Sequence, residues 1–118
     1  MREPGPAHPI TITPHPTPVR VRLGGRIVAE TRRALKLCEA GYEPVLYLPR
    51  EDVDADALGP NPKRSFCPYK GEAFYFDLTV GGATREAAAW SYENPFPAVA
   101  RIRGHVALYP DRVDAIEA

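Results

Sequence analysis

The sequence predicts a mainly β domain bordering on α+β, and three features point there. Val19-Arg-Val-Arg-Leu23 alternates apolar and polar side chains with a period of two, and so does the run from Phe74 to Val80, which is the repeat of a half-buried strand. Gly24-Gly25 and Gly81-Gly82 follow these runs, and a glycine pair closes a tight hairpin at no steric cost. Only two stretches carry helical spacing, and both are short. A chain of 118 residues suits one domain, long enough to bury roughly two thirds of its unfolded surface. We divide it into a proline-rich N-terminal arm, 1–18, and a single globular domain, 19–118.

Taken in order, the arm carries Pro4, Pro6, Pro9, Pro14, Pro16 and Pro18, which exclude a helix and favour an extended or partly disordered segment. Only Ile10-Thr-Ile-Thr13 has strand character. His8 and His15 stand in two His-Pro pairs, which we read as functionally silent. Val19–Leu23 and Arg26–Ala29 form a hairpin. A bulged, three-residue loop pairing Leu23 with Ile27 and Val21 with Ala29 keeps the apolar residues on one face.

Thr31 offers a helix cap, Arg32 to Ala40 supplies helix formers, and Gly41 with Pro44 gives a stop. A helix of about ten residues is expected there, with Ala34, Leu35 and Cys38 on one face and Cys38 a small core residue. Val45 to Pro49 reads as a buried strand ended by proline. The mix of Asp, Gly, Pro, Asn and Lys from Asp54 to Arg64 reads as a surface loop. Phe74 to Val80 is the clearest strand, and Gly81-Gly82 turns it back into Thr84–Tyr92, whose register stays open. Asn94-Pro95 gives a helix entry, with Phe96, Val99 and Ile102 as its apolar stripe. Val106–Tyr109 is the last long strand, and Pro110-Asp-Arg turns the chain into Val113–Ile116.

The two halves echo each other. Val21-Arg-Leu-Gly-Gly and Val45-Leu-Tyr-Leu-Pro-Arg-Glu-Asp-Val return as Leu78-Thr-Val-Gly-Gly and Val106-Ala-Leu-Tyr-Pro-Asp-Arg-Val-Asp. Either each half contributes an equivalent unit to a pseudo-symmetric sheet structure, or the domain simply reuses common turns.

Fifteen Lys plus Arg balance fifteen Asp plus Glu, so no net field steers the chain to nucleic acid or an anionic membrane, and neither partner is expected. Six basic residues between 20 and 36 face only Glu30, and we read them as a solvated face. Cys38 and Cys67 are too few for a disulfide scaffold or a structural zinc site, and no Cys-x-x-Cys occurs. No metal and no cofactor are expected. No apolar run reaches a membrane span, and the N-terminus lacks a charged-then-apolar signal pattern, so the reading is a cytoplasmic protein with reduced thiols.

The stretch richest in chemistry is Cys67-Pro-Tyr-Lys-Gly71, where a thiol, a phenol and an ammonium precede a glycine bend. Pro68 places it at a sheet edge or a bulge. Together with Arg33-Ala-Leu, Glu39-Ala-Gly-Tyr, Tyr47-Leu-Pro-Arg-Glu-Asp-Val, Ala88-Ala-Trp-Ser-Tyr and Leu108-Tyr-Pro-Asp-Arg-Val-Asp, it makes the chain resemble the domain of unknown function 427 family, from about His8 onward. The resemblance implies a compact domain of coiled, mainly antiparallel sheets of Mss4-like or β-tent type, a group that often holds ligands in an aromatic-lined cleft. A nucleotidyltransferase-like label also attaches to the family. Such enzymes need a Gly-Ser turn followed shortly by an Asp-x-Asp pair for magnesium. This chain has Asp52-Val-Asp54 and Asp54-Ala-Asp56, but Gly24-Gly25 lacks the serine and lies too far upstream.

Cys67 is the candidate nucleophile or redox thiol, near Lys70; the alternative is a semi-buried structural cysteine. His105 is the candidate base. Tyr47, Tyr69, Trp90 and Tyr92 are aromatics with polar tips suited to a pocket wall. Lys70 and Arg50 are candidates for an anionic group, with Asp52 beside Arg50. For Arg50 a structural ion pair with Glu51, Asp52 or Asp77 competes with that role. The first functional reading is a ligand-binding or scaffold module for a small molecule, with its cleft around Cys67–Gly71. The second is an enzyme using Cys67. The third is a homo-oligomer paired through exposed sheet edges.

Overall fold

The computed structural model describes residues 1–118 as ten antiparallel strands in two open sheets. The strands are β1 (Ile10–Pro14), β2 (Val19–Leu23), β3 (Arg26–Thr31), β4 (Leu35–Glu39), β5 (Val45–Pro49), β6 (Leu58–Cys67), β7 (Gly71–Val80), β8 (Ala83–Ser91), β9 (His105–Leu108) and β10 (Ala115–Glu117). The larger sheet runs β1-β4-β5-β9-β8-β7-β6 and the smaller β10-β2-β3. Mainly β is therefore correct. No helix is long and apolar enough to cross a membrane.

Period-two alternation sorts the side chains into two cores. Val19, Val21 and Leu23 of β2 meet Leu48, Phe76, Leu78, Ala89, Val106 and Leu108 between the sheets. The residues next to these in sequence, Tyr47, Tyr75 and Ala107, point to the outer face of the larger sheet, where they cluster with Leu37 of β4 and with Val99 and Ile102 of the Pro97–Ile102 segment. That outer core carries the tyrosines, and the candidate site lies there.

Of the two expected helices the first is corrected, and the second is present as a short 3₁₀ piece. The stretch after Thr31 is not an α-helix: residues 35–39 form β4, paired with Ile10–Pro14 on one side and Val45–Tyr47 on the other. Two neighbouring strands supply more hydrogen bonding and burial than a short isolated helix, which overrides the modest propensity of Arg32–Ala40. Pro97–Ile102 forms 3₁₀ turns broken at Val99, and it starts two residues later than the Asn94-Pro95 entry. Proline-rich residues 1–18 supply the edge strand β1, extended as their prolines require.

The first hairpin closes with a two-residue turn, Leu23 opposite Arg26, instead of the three-residue loop. Val21 does pair with Ala29. The extra residue is Val28 within β3, which lets Val28 and Ala29 both enter the core while Ile27 stays exposed. The surface loop is shorter than expected, since β6 already begins at Leu58; its bulge falls at Pro62-Lys63. The open register of β8 has a physical cause. Asp77 alone faces Glu86, Ala87 and Ala88, because pairing passes from Leu78–Arg85 to Phe76–Ala89. Ala87 sits at φ +47°, and the Asp77 carboxylate accepts its N–H at 2.8 Å.

The sequence echo has a structural counterpart at the centre of the larger sheet. β5 and β9 pair antiparallel, and each runs into a 3₁₀ turn, Arg50–Asp52 or Pro110–Arg112, followed by a buried valine, Val53 or Val113.

Candidate functional site

The Cys67–Gly71 segment is the tip of the β6–β7 hairpin, with Cys67 opposite Gly71 and Pro68-Tyr69-Lys70 as the loop. Gly71 adopts φ +108°, a region that disfavours any side chain. Two backbone bonds pin the loop: Arg2 N–H donates to Pro68 O at 2.7 Å and Phe96 N–H to Lys70 O at 3.0 Å. Lys70 is thereby directed inward across the outer core.

The Lys70 ammonium and the Glu39 carboxylate form a close ion pair, with side chains only 12% and 11% exposed. Glu39 also receives a 2.7 Å hydrogen bond from His8 Nε2. His8 in turn stacks flat on Tyr69, ring centres 3.9 Å apart and planes 3° from parallel. Burial pushes the Glu39 carboxyl up, but the hydrogen bonds and charges of Lys70 and His8 outweigh it and hold the group below the usual carboxylate range. The Lys70 ammonium also lies 6.0 Å from the Tyr92 ring centre.

Above this pair opens a cleft of about 190 Å³ walled by Tyr47, Tyr75, Trp90, Tyr92 and Tyr109, with Tyr42 and Glu43 at its rim. Trp90 Nε1–H donates to Tyr47 Oη at 3.4 Å, and the indole lies 4.4 Å from the Tyr109 ring. Burial raises the Tyr47 and Tyr92 phenols well above the ordinary phenol range, and Tyr109 is pushed up to about 12 by burial and then by the Tyr75 hydroxyl. These hydroxyls stay protonated at neutral pH and are hydrogen-bond donors.

Trp90 and Val45 also wall a second cavity of about 310 Å³, lined by Val21, Leu46, Leu48, Leu108 and Ile116 between the two sheets. The pairing explains how the two cavities become neighbours. β5 pairs with β9 only at Leu48–Val106 and Pro49–His105, while Val45, Leu46 and Tyr47 pair with β4 alone. The ladder between β5 and β9 is thus missing beside the N-terminal half of β5, where the two cavities share Val45 and Trp90.

Of the sequence candidates, Tyr47, Lys70, Trp90 and Tyr92 come together in the cleft, and Tyr69 stands beside it on His8. Cys67 is half-buried and packs against the same outer core. Arg50 lies elsewhere: it bonds Glu93 at 3.0 Å and stacks over Phe76. Asp52 accepts from Thr31 Oγ1 at 2.7 Å and from Arg33 at 3.3 Å, and Asp54 from Arg26 at 3.5 Å. Asp77 holds Asn61 and Ala87 instead of Arg50. His105 Nδ1 lies 2.9 Å from Arg103 O.

Sequence reasoning missed Glu39, His8, Tyr75 and Tyr109. Glu39 follows Leu35 and Leu37 at strand spacing, a signal hidden by the helix assignment. His8, read as silent, is held on both sides.

Residues 11–118 match the family model named NTP_transf_9, described as domain of unknown function (DUF427). The comparison with curated proteins found no match.

Proposed function

The chain belongs to the domain of unknown function 427 family, and from that premise we propose that it is a small-molecule-binding module whose site is the tyrosine cleft above Lys70 and Glu39. The observation that carries this reading is the shielded Lys70–Glu39 pair at the floor of five aromatic walls. A ring-shaped ligand gains stacking area there. Lys70 gives one hydrogen bond to Glu39, leaving ammonium N–H groups for an acceptor, and the neutral Tyr47 and Tyr92 phenols add donors. The two floor charges cancel, so a charged ligand meets an opposing like charge whichever its sign. A volume of about 190 Å³ falls below the roughly 300–1,000 Å³ of drug-sized sites. The ligand class is therefore a small, uncharged planar ring bearing a strong acceptor. The open two-sheet arrangement supports a β-tent, Mss4-like classification, and two free cysteines support a cytoplasmic setting.

Trp90 is the only tryptophan, so its emission reports the cleft directly. In titrations with matched one-ring probes, benzamide binds about tenfold tighter than toluene, because the amide oxygen accepts from a charged donor. Benzoate and benzylammonium bind more weakly than benzamide. Lys70→Met removes the preference for benzamide over toluene. Emission unmoved by benzamide, or equal affinity for toluene, overturns the reading.

A further inference from the structure

We infer that the bound ring carries an apolar substituent, which passes through the split between β5 and β9 and fills the cavity between the sheets. This deepens the reading above and rests on it for the ring. The inter-sheet cavity, about 310 Å³, is larger than the cleft and is walled by Val21, Leu46, Leu48, Leu108 and Ile116. It adjoins the tyrosine cleft because Val45 and Trp90 border both. A well-paired sheet has no such passage, since strands about 4.8 Å apart close it. Here β5 pairs with β9 only from Leu48 onward, so no ladder closes the sheet beside Val45–Tyr47, and Trp90 borders both cavities with its N–H edge toward Tyr47.

The chemistry of the two sides assigns the ligand's two ends. Apart from the Trp90 indole, which borders both cavities, the side-chain donors lie on the cleft side, at Lys70 and the phenols, so the acceptor-bearing ring belongs there. The inter-sheet side offers aliphatic surface, which recognises a chain without polar atoms. The ligand is thus an amphipathic ring compound with an alkyl or alkenyl arm, and Trp90 positions it at the junction.

The test uses the full chain and Trp90 emission. Affinity is measured for benzamide and its 4-methyl, 4-ethyl and 4-propyl derivatives, and separately for n-pentanol, which has a chain and no ring. In the native protein each added methylene tightens binding about fourfold, and pentanol shifts the emission. Ile116→Phe, which fills the inter-sheet cavity, leaves benzamide affinity unchanged and abolishes both the chain-length gain and the pentanol response; Leu46→Phe is the second filling variant. Benzamide affinity that stays flat or falls with chain length overturns the inference and leaves the cleft reading standing. No response to benzamide overturns the cleft reading, and pentanol then decides the inter-sheet cavity by itself: an emission shift lost in Ile116→Phe retains that cavity as an alkyl site, and no shift removes it.

Discussion

Lys70→Met is the sharpest probe of the floor of the cleft. The substitution keeps the length and apolar stem of the side chain but withdraws the ammonium from Glu39, whose side chain is 11% exposed. Breaking one partner of a buried ion pair leaves an uncompensated charge and costs about 3–5 kcal/mol. His8 still donates to Glu39 at 2.7 Å, which retains part of the compensation. The expected loss is therefore at the lower end, about 2–3 kcal/mol, a large fraction of the roughly 5–15 kcal/mol that holds a domain folded. With a urea m-value of about 1–3 kcal/mol/M, the midpoint falls by about 0.7–3 M. Lys70→Met combined with Glu39→Gln recovers most of this, because no charge is then buried and the amide oxygen still accepts from His8. The pH dependence has a definite sign. The native Glu39 carboxyl titrates below its ordinary 4.5, so its stabilisation is complete above about pH 4.5 and is lost as pH falls through the depressed native value. Acid unfolding is accordingly shallower in Glu39→Gln than in the native protein. A loss below about 0.5 kcal/mol in Lys70→Met, or a double variant as weak as the sum of the singles, refutes the reasoning.

Two further outcomes follow from the same geometry. At about pH 11, Tyr47, Tyr92 and Tyr109 remain protonated in the folded protein. Changing any of them to Phe then leaves the phenolate absorbance unchanged, and a drop in that absorbance contradicts the burial of its ring. Gly71→Ala costs about 1–3 kcal/mol in urea unfolding, because φ is +108° although the nearest atom to the new methyl, Asn94 O, is a comfortable 3.6 Å away; an unchanged midpoint shows that the hairpin tip tolerates another conformation.

What the sequence made legible, and what it hid, follows from the range of the interactions involved. Val19–Leu23 is readable because Val19, Val21 and Leu23 are buried while Arg20 and Arg22 are exposed, and Phe74–Val80 because its apolar residues keep the same period although Tyr75 is buried on the opposite face. Cys67–Gly71 is readable as a bend at an edge because proline and glycine act locally. Leu35–Glu39 is not, since its strand state depends on Ile10–Pro14 and Val45–Tyr47 lying on either side, and neither partner is visible in a local window. That one misassignment hid the site's acid. On a helix Glu39 is one more surface carboxylate near a terminus; on a strand it shares the face of Leu35 and Leu37 and points at Lys70. His8 was hidden for the same reason, because its ring is fixed by Tyr69 and Glu39, both remote in the chain. The incomplete pairing of β5 with β9 was hidden in the same way. Val45-Leu-Tyr-Leu reads as a uniformly buried strand, yet Val45–Tyr47 pair with β4 alone and Leu48 with β9 alone, and the half that lacks a partner in β9 is where Tyr47, Trp90 and both cavities converge. The site occupies the place where sheet pairing is given up, and a gap in a ladder leaves no mark on the sequence of the strand that borders it.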